Sequence, residues 1–271
     1  MAKVQSTETV SPGPSFASSE LAVFSKPKMS SPILVAGLPG IGLVSKLATD
    51  NLVKSLGAKP LALLHSPHFP NQVLALKSGK LRTFSMKFYH AKAGKRDVVV
   101  LTGDLQPLTV EGQYEVTARV LNYFKSLGGR TVVSMAGFAT NKKSDKPKIF
   151  CSTTSKKFLA TLVSMGGAVN EQVVPIVGMA GMIPALSKLY GLKGACLLVE
   201  TPGTIADAGG AAHLTRLLSK IFDAKISTAD LEKRAKKASK IIEKMEKQAQ
   251  AAEQSAYVGA KADHDTMRYI S

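Results

Sequence analysis

The chain has 271 residues, 36 Lys+Arg against 19 Asp+Glu, two cysteines and no tryptophan. That length suits one large domain or two small ones, and 45% hydrophobic residues exclude wholesale disorder. The net charge of +17 lies mainly on the first half, where residues 1–100 carry 13 basic and 4 acidic side chains. Such a field favours acidic partners, but without an Arg/aromatic stacking pattern nucleic-acid recognition is not expected.

Residues 1–30 are rich in Ser, Thr, Pro and Lys without periodicity and read as a disordered N-terminal arm. They lack the apolar core of a secretory signal, and no stretch nears the roughly 18 apolar residues of a membrane span. A cytoplasmic protein with no membrane contact is expected. Ile33–Ala36 opens a series of short apolar runs of the kind that form buried parallel strands, continued at Leu61–Leu64, Val98–Thr102, Thr131–Ala136, Val173–Val177 and Ala195–Val199. Helical stretches fall between them at Leu43–Leu56, Val110–Leu127, Lys156–Met165, Met182–Tyr190 and Gly209–Phe222. The alternation predicts βαβ crossovers and a three-layer α/β/α domain over residues 31–226. Residues 81–90 alternate like a half-exposed antiparallel strand, so the mostly parallel sheet is expected to be mixed.

Ser227-Thr228-Ala229-Asp230 fits a capping box opening a helix over residues 227–256, with Asp230 reaching back to the Ser227 backbone. Leu231, Ala235, Ala238, Ile242, Met245, Ala249, Ala252 and Ala256 follow at heptad spacing. Leu231, Ile242 and Met245 are its bulkiest members, placed to pack on the domain or on a second copy. Residues 257–271 read as a flexible tail with an apolar tip, Met267-Arg268-Tyr269-Ile270-Ser271.

The strongest local feature is the glycine-rich turn Gly37-Leu38-Pro39-Gly40-Ile41-Gly42-Leu43 between the first strand and first helix. Backbone N–H groups at such a turn can cradle an anion. A P-loop would need Lys-Ser/Thr where Leu43-Val44 stand, and a dinucleotide fingerprint would need a third glycine where Ser45 stands and an acid near His65. Gly37, Gly40 and Gly42 therefore read first as devices for tight chain reversal and close helix packing. His65 and His68 flank Pro67 with no third ligand nearby, so no metal site is expected. Ser134 lacks the first glycine of a nucleophile elbow and reads as a strand residue. Glu200 directly follows an apolar strand, a usual place for a functional side chain, while Asp207 precedes Ala208-Gly209-Gly210 and suits a helix cap. The loop Lys142–Lys148 reads as a solvated turn or a docking patch for an acidic surface. Cys151 and Cys196, in apolar surroundings, read as reduced buried thiols.

Taken together, Ile33–Leu56 (ILVAGLPGIGLVSKLATDNLVKSL), Arg96–Pro107, Val177–Gly181, Gly191–Thr201, Asp207 and Ala211-Ala212 resemble the proteasome assembly chaperone 2 family, including its archaeal members, over roughly residues 31–222. The resemblance implies a phosphorylase/hydrolase-like three-layer fold used as a scaffold without catalysis and without a cofactor. It also implies homo-oligomers whose C-terminal tails reach the α-ring of the proteasome core particle, making proteasome α subunits the expected partners. Met267, Tyr269, Ile270 and Ser271 are then the partner-binding residues. The ending departs from the family's hydrophobic–tyrosine–any-residue pattern, because Arg268 precedes Tyr269 and two residues follow it. The alternative from another class is a ligase-like enzyme that binds a nucleotide or small molecule at the glycine-rich turn.

Overall fold

The computed structural model describes residues 16–140, 144, 146–203 and 205–239. Its centre is an eight-stranded mixed sheet in the order β1-β3-β6-β7-β2-β8-β10-β9. The strands are β1 (Glu20–Val23), β2 (Ile33–Ala36), β3 (Lys59–His65), β6 (Met86–Ala93), β7 (Arg96–Gly103), β8 (Thr131–Ala139), β9 (Ile149–Thr153) and β10 (Lys193–Thr201). A separate hairpin pairs β4 (Val73–Ala75) with β5 (Leu81–Thr83). β7, β2, β8 and β10 run parallel in the middle, with Ile33 level with Val98 on one side and Thr131 on the other. Antiparallel strands flank them, β6, β3 and β1 at one edge and β9 at the other.

The central strands are apolar at nearly every position because helices cover both faces. Ile33, Val35, Val98, Val100, Val133 and Leu197 point to α1 (Val44–Ser55), α3 (Lys156–Ser164) and α5 (Ala208–Phe222). Leu34, Ala36, Val99, Leu101 and Val132 point to α2 (Val110–Ser126) and α4 (Met179–Ser187). The period of two thus sorts one short strand, β2, into both halves of the core. The result is the expected three-layer α/β/α architecture. Among the described residues no helix is long and apolar enough to cross a membrane.

Three expectations need correction. Val173–Val177 is not a strand: β9 takes the place beside β10, Pro175 lacks a ladder donor, and Val173 and Val177 are exposed. The N-terminal arm does not extend to residue 30, since β1 pairs with β3, Ser19 binds Glu115, and the Ser30 N–H donates to Asp97 Oδ2 at 2.9 Å. The run 81–90 is broken, because its first three residues pair with β4 whereas β6 starts at Met86. β9 was absent from the apolar-run pattern because only Ile149-Phe150-Cys151 is apolar before Ser152 and Thr153 follow.

Residues 229–239 are helical, and Leu231, 2% exposed, joins the core beneath α1 and α5 with Ala235 partly buried against it. The capping box takes another form. Thr228 Oγ1 donates to Glu232 Oε1 at 2.7 Å, the Ala229 N–H reaches Ser227 Oγ at 3.4 Å, and Asp230 pairs with Lys54 of α1. The heptad positions Ile242 and Met245, the tail residues Met267, Tyr269, Ile270 and Ser271, and Lys142 and Lys143 lie outside the described residues.

Candidate functional site

The glycine-rich turn sits at the C-terminal end of β2, where strand order departs in opposite directions toward β7 and β8. Such a switch point opens a crevice in doubly wound sheets. Here it is a pocket of about 520 Å3 lined by the turn, the ends of β2 and β8, residues 175–177 and α4.

Each glycine of the turn has its own geometry. A Cβ on Gly37 would stand 2.6 Å from Thr49 Cγ2 and closer still to the Ser45 carbonyl, so α1 can lie on the strand end only over a bare backbone. Gly42 has φ +62°, and a Cβ there would meet Thr201 Oγ1 at 2.7 Å. Gly40 is extended and faces open space, so nothing around it requires glycine. Within the turn Leu43, at φ 50°, carries strain, since a left-handed leucine costs on the order of 1–2 kcal/mol.

The turn is held through its carbonyls. Thr49 Oγ1 donates to Gly37 O at 3.0 Å and Ser45 Oγ to Leu38 O at 2.6 Å. Gln106 Nε2 donates to Pro39 O at 2.8 Å, the Leu43 N–H to Gly40 O at 2.9 Å, and the Asp207 N–H to Gly42 O at 2.8 Å. Five carbonyls are therefore bound by α1, the β7–α2 loop, the turn itself and the start of α5. Gln106 also accepts the N–H of Met179, the first residue of α4, at 2.9 Å, which ties the start of α4 to the turn. Asp207 caps α5 as expected, its Oδ1 accepting from the Gly210 N–H at 2.9 Å. Buried amide–carbonyl bonds of this kind contribute about 1 kcal/mol each and cost more when one partner is lost.

The pocket itself is apolar. Leu38, Ile41, Met135, Phe138, Ile183 and Leu198 provide much of its wall. Its three polar side chains are committed elsewhere: Ser45 and Gln106 to the turn, and Ser134 Oγ to the Ala180 carbonyl. Ser134 is buried and serves as a strand-to-helix tie, in line with its reading as a strand residue. Among the described residues no charged side chain lines the space.

The other candidate side chains stand apart. Glu200 Oε2 accepts the Lys148 N–H at 2.8 Å and so pins the chain entering β9. His65 Nδ1 lies 3.3 Å from Thr83 Oγ1, whereas His68 packs over Gly112 at the start of α2. Among the described residues no three His, Cys, Asp or Glu side chains gather as a metal site. Cys151 and Cys196 are buried free thiols, and burial pushes both up to about 11, which keeps them protonated and unreactive near neutrality. Sequence reasoning passed over Gln106 and Thr49 as parts of the turn. The available signal was a Gln-Pro pair just beyond a buried strand, together with a threonine one helical turn after Ser45.

The pattern of the PAC2 family matches residues 34–246. The chain belongs to the PAC2 family. It is 32% identical over 238 residues to the uncharacterized protein MJ1210 of Methanocaldococcus jannaschii, covering 88% of this chain and 92% of that one. The crystal structure of Pyrococcus furiosus PbaB, an archaeal proteasome activator, superposes with a TM-score of 0.80 at 32% identity, covering 84% of this chain and 99% of that chain. Pyrococcus furiosus PbaA, an archaeal homolog of proteasome-assembly chaperone, superposes with a TM-score of 0.72 at 25% identity, covering 92% and 99%. The PAC2 family and fold expected from the combined segments between residues 31 and 222 are thus established for this chain.

Proposed function

We propose that this PAC2 protein is a non-enzymatic, cytoplasmic chaperone that acts with the proteasome core particle and binds its α subunits. The observation that carries the reading is the likeness to the archaeal proteasome activator PbaB, at 32% identity over 84% of this chain. The site chemistry agrees with a scaffold role: the turn's carbonyls are consumed internally, and the pocket's polar side chains hold the fold together. Binding is assigned in part to the C-terminal tail, where Met267 and Ile270 supply apolar contacts and Tyr269 and Ser271 supply polar ones. Association of several copies, through the helix at 229–239 and the heptad positions Ile242 and Met245 that follow it in sequence, would present several tails and raise their effective concentration.

The test is co-elution of the full chain with recombinant proteasome α subunits, with light scattering to give the stoichiometry. A complex that is lost when residues 257–271 are deleted supports the tail mechanism. Undiminished binding by that truncation overturns the tail assignment, and no complex at micromolar concentrations overturns the reading as a whole. The second reading, a small-molecule or nucleotide-binding protein, is favoured by one observation, the pocket of about 520 Å3 beside the turn. A ligand seated there must raise the unfolding temperature, so a thermal-shift screen with nucleotides and apolar metabolites distinguishes the two.

A further inference from the structure

Charge is divided unevenly between the two ends of the sheet. The parallel strands β7, β2, β8 and β10 all begin at one end, where β6 finishes and β3 starts, and α1, α2 and α5 end there too. Lys54, Lys125 and Lys220, in the last turns of those helices, are accounted for by the negative end of the helix dipole. Among the further exposed cations at this end, six lie along the strand starts and turns with no such local reason: Lys59, Lys95, Arg96, Arg130, Lys193 and Lys225.

The topology makes them neighbours. Lys59 is level with His90, Arg96 with Ala93, and Lys193 with Thr131, while the Lys193 N–H donates to the Arg130 carbonyl at 2.9 Å. The β6–β7 turn lies on the end of α5, where a Cβ on Gly94 would sit 3.2 Å from Asp223 O, which brings Lys95 toward Lys225. Six adjacent strands at about 4.8 Å spacing give the row a length of roughly 24 Å. Among the described residues none of the six enters an ion pair. Of the carboxylates at this end, Asp97 is buried against Lys92 and His90 and Asp230 is paired with Lys54, while Asp223, exposed at the end of α5, offsets one charge of the row. At the other end acids balance bases, as in the pairs Lys46–Asp50 and Arg82–Asp104.

We infer that this strand-start edge is a docking surface for the acidic face of a folded protein partner. The reading does not depend on which protein the chain serves. One feature favours protein over nucleic acid: the row is flanked by exposed apolar side chains, Phe24 beside the start of β3 and Leu189 beyond α4, which suit the mixed apolar and polar character of a protein interface.

The test uses the full chain and fluorescence anisotropy with labelled poly-L-glutamate about 20 residues long, at about 50 and 150 mM salt. The variant Lys95→Glu/Arg96→Glu/Lys193→Glu is compared with Lys77→Glu/Lys80→Glu/Lys146→Glu, which has the same net charge but alters the opposite end. Circular dichroism confirms the fold of each, and Lys→Gln versions at the same sites replace any that fail. The edge variant is expected to bind about tenfold more weakly or worse with a flattened salt dependence, and the control within about threefold of the parent. Equal losses in both variants overturn the proposal, as does an absence of binding at low salt. A 20-nucleotide single strand whose binding falls further in the edge variant than that of poly-L-glutamate would assign the edge to nucleic acid and also overturn it.

Discussion

Replacing Asp97 by Asn should destabilise this protein by about 2 kcal/mol at neutral pH. Asp97 is 1% exposed at the start of β7, with Oδ1 2.8 Å from His90 Nε2 and Oδ2 2.8 Å from Lys92 Nζ. It also accepts the Ser30 N–H at 2.9 Å and so ties the N-terminal segment to the sheet. Burial alone would push its carboxyl up, but the Lys92 ammonium, the Ser30 N–H and the His90 ring outweigh burial and hold it down at about 2. An unfolded aspartate titrates near 3.9, and a depression of just under two units corresponds to about 2–3 kcal/mol of folding free energy, of which a neutral asparagine, still able to accept a hydrogen bond, forfeits about 2 kcal/mol. The folded-state value is depressed, so this contribution is complete above about pH 5 and disappears as pH falls through 4 toward 2. For a domain of this size that is a fall in Tm on the order of 4–8 °C. Denaturant unfolding followed by circular dichroism at pH 7, 5, 4 and 3 measures it. The gap between wild type and Asp97→Asn should close on acidification. A gap below about 0.5 kcal/mol at pH 7, or one that stays constant down to pH 3, would refute the reasoning.

Two further outcomes follow from packing. Gly37→Ala should cost about 1–3 kcal/mol by driving a methyl into Thr49 and Ser45, whereas Gly40→Ala should change stability by less than about 0.5 kcal/mol; thermal unfolding of the pair checks both. Leu231→Ala should cost about 2–4 kcal/mol and raise hydrogen exchange across residues 229–239, because that side chain holds the helix to α1 and α5. A loss of stability without faster exchange there would mean that the helix is anchored elsewhere.

The fold was largely legible in the sequence because buried parallel strands and amphipathic helices leave strong local signatures. Ile33–Ala36, Val98–Thr102 and Ala195–Val199 are apolar on both faces, and only a covered central strand can bury them. The cap at Asp207 was equally plain, since it needs only an acid three residues before an available N–H. The glycine-rich turn was legible as a turn, but the need for each glycine was not. Gly37 and Gly42 are dictated by Thr49 and Thr201, partners 12 and 159 positions away, while Gly40 is free of any neighbour.

What the sequence determined by itself was the alternation of strands and helices, because backbone propensity and hydrophobic period act over a few residues. The tertiary structure alone decided which strand lies beside which, that β9 and not Val173–Val177 closes the far edge, and that residues 19–30 belong to the domain. It also decided that Leu231 turns inward and that Gln106 clasps both Pro39 and Met179. Those outcomes depend on pairings between segments tens of residues apart, and their energies arise only when the layers are assembled.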